Sequence, residues 1–239
     1  MKRALLPPLV LAVSLLATAV LAKAPVVVEL FTAQGCASCG QADSYLARLD
    51  DQPGVLTLAW SVDYWDYLGW KDTFAQPDFT DRQRAYDKRF GLHDVYTPQI
   101  VVDGAAQASG DKASAIDALI RAARHARTRQ VVPVISPRAD GTIAIASAPG
   151  AHPRAPDDVW LVRYDPRLQD VQVKTGDNKG KTVSLKNAVR QVARLGNWTG
   201  RHAVYKLPPP TEEGLSTVIL VQIADGGRIV GVQKIGSKG

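Results

Sequence analysis

Val26-Val-Val-Glu-Leu-Phe31-Thr-Ala-Gln-Gly-Cys36-Ala-Ser-Cys39 is the stretch on which the reading of the fold turns. Cys36 and Cys39 are the chain's only cysteines. Two cysteines placed at random in 239 residues fall at this spacing roughly once in a hundred trials, so the pair signals a purpose. The apolar run Val26–Phe31 predicts a buried strand, and Gln41–Leu49 predicts a helix. A Cys-x-x-Cys between the two puts the first sulfur at a helix N-terminus, where unpaired N–H groups and the helix dipole favour the thiolate. A dithiol redox centre needs that arrangement. In such a centre Cys36, nearer solvent, exchanges with a substrate disulfide through a mixed disulfide, and Cys39, one turn inside, resolves it.

Three other readings of the pair stay open. A structural staple is a weak one, because closing so short a loop removes only about 2 kcal/mol of chain entropy, against about 3 for a fifteen-residue loop. Half of a zinc site would need further ligands, yet no second Cys pair exists and His93, His125, His152 and His202 have no ligand-like spacing, so no metal site is expected. The third is a redox centre that has become inert.

Outward from the pair, the chain divides near residue 130, with the boundary placed at 128–133. Residues 23–129 alternate strand and helix. Val55–Trp60 is a second strand, Thr80 with Gln83 reads as a capping box opening a helix that stops at Gly91, and Gln99–Val102 is a strand entering an Asp103-Gly104 turn. Ala105–Ala108 pairs back as a hairpin, and Ile116, Leu119, Ile120 and Ala123 mark a helix beginning near Asp111. This predicts β-α-β-α-β-β-α. Residues 130–239 carry short β-like runs punctuated by Pro and Gly, with one helical stretch at Leu185–Leu195, which predicts a mainly antiparallel β-sandwich-like domain with one helix.

Lys2 and Arg3 precede the apolar stretch Leu9–Leu21, and Val20-Leu-Ala22 offers small residues for cleavage, so residues 1–22 read as a signal peptide. The mature protein is therefore expected in the periplasm or secreted, without stable membrane insertion once the leader is removed. A Cys pair can be held oxidised there. Loss of Lys2 and Arg3 lowers the formal net charge from +6 to +4. The basic residues are scattered, which argues against a nucleic-acid partner.

Asp63–Phe74 holds Tyr64, Trp65, Tyr67, Trp70 and Phe74, a dense share of the aromatic residues (5 Trp, 7 Tyr, 4 Phe), and leaves the second strand. Tyr64, Trp65 and Trp70, with Asp63, are candidates for a substrate-facing wall; the alternative is a long loop packing its own rings.

With the Cys pair after the first strand and Thr97-Pro98 before the third, residues 23–129 resemble a thioredoxin-like domain. The motifs Val28-Glu-Leu-Phe-Thr-Ala-Gln-Gly-Cys-Ala-Ser-Cys39, Val62-Asp-Tyr-Trp-Asp-Tyr-Leu-Gly-Trp-Lys-Asp72 and Val95-Tyr-Thr-Pro-Gln-Ile-Val-Val-Asp-Gly104 carry a closer likeness. Together with Val159-Trp-Leu-Val-Arg-Tyr-Asp165, Gly176-Asp-Asn-Lys-Gly180, Asn187-Ala-Val-Arg190 and Leu195-Gly-Asn-Trp198, they resemble a bacterial family of secreted thioredoxin-like proteins catalogued as a domain of unknown function. The resemblance implies a cis peptide before Pro98, with Thr97 and Pro98 facing the dithiol and holding backbone open for a substrate strand. It also implies a buried acid near the inner cysteine, a role Glu29 would take from the strand before Cys36. Gly40-Gln41 departs from the prolines that family members often carry after the dithiol. No reaction comes with the family name.

Two functions follow as expectations. One is an exported thiol–disulfide oxidoreductase working through Cys36–Cys39, with no cofactor beyond that pair and with envelope protein thiols, disulfides and a redox partner as its contacts. The other is a non-catalytic binding or adaptor protein with a structural disulfide. A copper-handling variant is disfavoured, since the sole methionine is Met1.

Overall fold

The computed structural model describes residues 24–129, 132–146 and 155–236. The expected signal peptide, residues 1–22, lies outside them. The chain opens with β1 (Val26–Thr32), α1 (Gly40–Asp50), β2 (Val55–Ser61), α2 (Pro77–Phe90), β3 (Gln99–Val102), β4 (Ala106–Ser109) and α3 (Ala113–Arg127). β1 and β2 are parallel and buried along their whole length. That double burial is why they read as continuous apolar runs rather than as alternating ones. β3 pairs antiparallel with β1, and β4 with β3.

The chain continues through β5 (Val134–Pro137), β6 (Thr142–Ala146), β7 (Asp157–Asp165), β8 (Gln169–Gln172) and β9 (Thr182–Leu185). It ends with β10 (Ala188–Trp198), β11 (Ala203–Lys206), β12 (Ser216–Gln222) and β13 (Ile229–Ile235). The result is a mixed α/β molecule with a large, mostly antiparallel sheet of eight strands, ordered β13-β12-β7-β10-β2-β1-β3-β4. A three-stranded sheet, β11-β6-β5, and a β8–β9 hairpin complete it.

Each face of the large sheet has its own apolar layer. Leu46 and Leu49 of α1 and Ile116 and Ile120 of α3 pack on Val28, Leu30 and Ile100. Phe79 and Tyr86 of α2 pack on Phe31 and Trp60 from the other side. Ile135, Ile143 and Ile145 of the small sheet bury Val159, Leu161, Ile219 and Val221.

The sequence expectation fails in three places. Leu185–Leu195 is not a helix: it forms the end of β9 and most of β10. Register shifts at Val189/Gln191 and Arg194/Gly196 break the two-residue alternation and leave Val189, Val192 and Leu195 at helix-like spacing. Gly196 lies within β10 with φ 146°. A Cβ there would stand 3.3 Å from the Tyr205 ring.

The expected sandwich is also realised differently. β7, β10, β12 and β13 join the sheet of β1–β4, through β10 lying parallel to β2 at Ala188↔Ala59, and among the described residues the three-stranded sheet forms the second layer. Finally, α2 begins at Pro77 rather than at a Thr80–Gln83 box. Thr80 Oγ1 donates to Asp63 Oδ1 (2.7 Å), and Gln83 Nε2 donates to the carbonyl of Tyr96 (2.8 Å).

Candidate functional site

β1 ends at Thr32, a turn carries Gln34 and Gly35, and α1 starts at Gly40 with Cys39 at its N-cap. Cys36 and Cys39 are joined in a disulfide with 5.5 Å between Cα atoms. The turn is closed by backbone bonds from Cys36 N–H to the Ala33 carbonyl (3.0 Å) and from Cys39 N–H to the Cys36 carbonyl (3.2 Å). Ser38 Oγ lies 3.5 Å from Cys36 Sγ. The Thr97–Pro98 peptide is cis. Pro98 is within reach of α1: a Cβ on Gly110 would stand 2.8 Å from the Pro98 ring and 2.7 Å from Ala42 Cβ.

Cys36 is not nearer solvent than its partner; each cysteine is 1% exposed. The loop between β8 and β9 is bonded to the turn that carries the pair. Asn178 Nδ2 donates to the carbonyls of Gln34 (2.9 Å) and Cys36 (3.0 Å), and Lys181 Nζ donates to Asn178 Oδ1 (3.0 Å). Thr175 Oγ1 donates to the Gly69 carbonyl, tying the same loop to the aromatic segment.

That aromatic segment is held by its own polar bonds. Gln34 is the hub. Its amide N–H donates to Asp72 Oδ2 (2.7 Å), and its Oε1 accepts from Trp70 Nε1 (2.9 Å) and Thr73 N–H (3.1 Å). Trp65 Nε1 donates to Thr97 Oγ1 (2.8 Å), and Trp65 Cβ lies 3.5 Å from where a Gly35 Cβ would be. Trp65 therefore bridges the turn before Cys36 and the cis-proline segment. Asp63 is spent on Thr80, and burial pushes the Tyr64 hydroxyl up to about 12. Of the rings, Tyr67 is the one that stands out in solvent. The packed-loop reading thus describes most of this segment, and Trp65 alone among the candidates touches both sides of the site.

Glu29 does not join the cysteines through any polar bond. It is fully buried, accepting from Arg82 Nε (2.7 Å) and from the Tyr86 hydroxyl. The acid beside the dithiol is Asp43, four residues past Cys39 on α1, with its amide N–H bonded to the Cys39 carbonyl (3.0 Å). Asp43 Oδ1 accepts from Thr32 Oγ1 (2.7 Å), while its buried Oδ2 has no partner among the described residues. Burial, with a smaller push from the Asp72 charge, raises its pKa to about 7. Asp43, Cys36, Asn178 and Lys181 line one cavity of about 190 Å³. An acid of this kind can take up and return a proton near neutral pH.

A family model described as a protein of unknown function (DUF1223) matches residues 27–222. The chain belongs to the DUF1223 family. A crystal structure of a protein from Agrobacterium tumefaciens is similar over 90% of this chain and 96% of its own, with 32% identity and a TM-score of 0.72. HBP35 of Porphyromonas gingivalis is similar over 89% of this chain and 75% of its own, at 14% identity and a TM-score of 0.61, a likeness of fold alone. No curated protein matches the chain.

Sequence reasoning about this DUF1223 protein singled out the cysteines, Trp65, Thr97 and Pro98, which the fold gathers. It missed Gln34, Asp43, Asp72 and Asn178. Asp43 carried a signal, since four residues beyond Cys39 is the same face of a helix. Asn178 stood within the Gly176–Gly180 motif but with no role attached, because its role depends on a hairpin folding back over a turn more than 140 residues earlier.

Proposed function

We propose that this DUF1223 protein is an exported thiol–disulfide oxidoreductase built on a thioredoxin-like unit at residues 24–129. The observation that carries the reading is the Cys36–Cys39 disulfide at the N-terminus of α1, beside a cavity it shares with the partner-poor carboxyl of Asp43. The parallel β1–β2 pair, the antiparallel β3 and β4, the helices α1 and α3 on one face with α2 on the other, and the cis Thr97–Pro98 peptide all support the fold part of it.

In the reducing direction, a Cys36 thiolate attacks one sulfur of a substrate disulfide and releases the other as a thiolate. Cys39 then attacks Cys36 Sγ, breaking the mixed disulfide and releasing the second substrate thiolate. Two electrons leave the dithiol and the Cys36–Cys39 bond reforms. The single proton given up by Cys39 passes to Asp43 and from there to one departing thiolate; the other leaves as the thiolate. The oxidising direction reverses these steps. Access to Cys36 requires the Asn178 clasp to open.

A second reading draws on the same burial. Two cysteines exposed by 1% under a polar clasp also suit a structural disulfide in a binding protein. Equilibrating the mature protein with glutathione buffers and alkylating free thiols separates the two. A potential between about −120 and −270 mV belongs to working oxidoreductases and makes trapping with Cys39→Ala the next step. A value below about −300 mV assigns the pair to structure.

A further inference from the structure

A second cavity lies on the face of the sheet that carries α2, lined by different residues from those around the dithiol. α2 covers β1 and β2, but the sheet continues past β2 into β10 and β7. A cleft of about 370 Å³ is left between the helix and these added strands, within the range of roughly 300–1,000 Å³ that holds small organic ligands. Asp78, Asp81, Arg82 and Ala85 face it from one side of α2, at helical spacing, and Trp160 and Val192 face it from the sheet. One end is closed tightly: a Cβ on Gly226 would stand 2.6 Å from the Ala85 carbonyl oxygen, so this turn admits no side chain.

The charges around the cleft are unequal in what they offer a ligand. Arg82, on the floor, donates to Glu29 (2.7 Å), Gln222 (3.2 Å) and the Tyr86 hydroxyl (2.9 Å), and its guanidinium lies over the rings of Trp60 and Trp160. Its donors are turned inward and its charge is met by Glu29. Arg194 is held by Asp158 at 2.6 Å. Asp78 and Asp81 remain at the mouth, and the pairing of Asp81 with Arg84 is an exposed one that water screens. An apolar, aromatic-walled cleft with carboxylates at its mouth fits a molecule with an apolar body and a positive end.

We propose that this cleft is a binding site for small organic cations, with an aromatic or apolar group against Trp160, Val192 and Ala85 and an ammonium group toward Asp78 and Asp81. Nothing in this depends on the dithiol reading.

Calorimetric titration of the mature protein with three probes of one shape tests it: 2-phenylethylamine, 2-phenylethanol and phenylacetate. The amine is expected to bind saturably at one site, about tenfold more tightly than the alcohol or the carboxylate, a preference worth about 1.4 kcal/mol. The double variant Asp78→Asn, Asp81→Asn, changed at exposed positions, should erase that preference. Ala85→Phe should fill the cleft and abolish binding of all three. Its thermal melt and its Cys36–Cys39 potential, both kept near those of the parent, report an intact fold. Equal or tighter binding of phenylacetate overturns the assignment of a cation. Absence of binding by all three probes, or binding that survives Ala85→Phe in the folded variant, overturns the site.

Discussion

Asp43 is a carboxyl group that the fold keeps from water while supplying one hydrogen-bond donor. Its proton is held more tightly in the folded protein, up to a pKa of about 7 against an ordinary 3.8, chiefly through burial. Between those values the folded state carries a proton that the unfolded chain has lost, so stability falls as pH rises through the window and levels off above it. Asp43→Asn should therefore match the parent in a melt near pH 4 and exceed it by a few kcal/mol near pH 8. The same variant should slow thiol–disulfide exchange by about a hundredfold, the scale of a lost proton acceptor, measured by stopped-flow with a disulfide substrate. A variant that is stabler at pH 8 yet exchanges at the parent's rate would remove Asp43 from the chemistry. Glu29 behaves oppositely. Glu29→Gln leaves the Arg82 cation buried without its counter-charge, a loss of about 3–5 kcal/mol by denaturant titration, while the Cys36–Cys39 potential stays in place. The resemblance pointed to Glu29 as the buried acid of this site, and it is buried. What the sequence did not carry was Arg82, 53 residues away, which takes Glu29 for itself.

Among the elements, the β8–β9 hairpin sets access to the disulfide. Among the described residues it pairs with no other strand; Asn178 fastens it to the turn before α1 and Thr175 to the Gly69 carbonyl of the aromatic segment. Asn178→Ala removes both bonds to the turn, each worth roughly 0.5–1.5 kcal/mol, and should speed reduction by dithiothreitol by about tenfold. An unchanged rate would mean that the disulfide is reached from the Trp65 side. Elements with a plain pattern were legible in advance: β1, α1, β2 and β3 sit within a residue or two of where the sequence placed them. β10 was not, because two bulges erase the alternation by which a strand is recognised. β9 was missed for another reason. Thr182–Leu185 is short, and its partner β8 lies across a long loop, so no turn dipeptide announces the pair.

At the scale of the molecule, the sheet depends on one narrow join. β10 meets β2 at Ala188↔Ala59, and Asn187 completes the contact in the left-handed region (φ 54°). Its carbonyl accepts from Ala59 N–H (3.0 Å), and its Nδ2 donates to Asp50 Oδ1 (2.7 Å) and to Thr57 Oγ1 (2.7 Å). Asn187→Ala removes the side-chain bonds to Asp50 and Thr57 and should cost about 3 kcal/mol. Hydrogen exchange should show amides of β7 and β10 opening ahead of those in β1 and β3; uniform loss of protection would mean that the join is not the weak line. The join also bears on the order in which the chain is made. β2 is complete at Ser61, but the strand that covers its outer side begins at Ala188. While everything between them is still being synthesised, a mostly apolar strand stands at the rim of a half-built sheet, open to pairing with a neighbouring chain. The nascent protein is thus most exposed to aggregation in the middle of its synthesis, and the hazard ends when Asn187 and Ala188 arrive together.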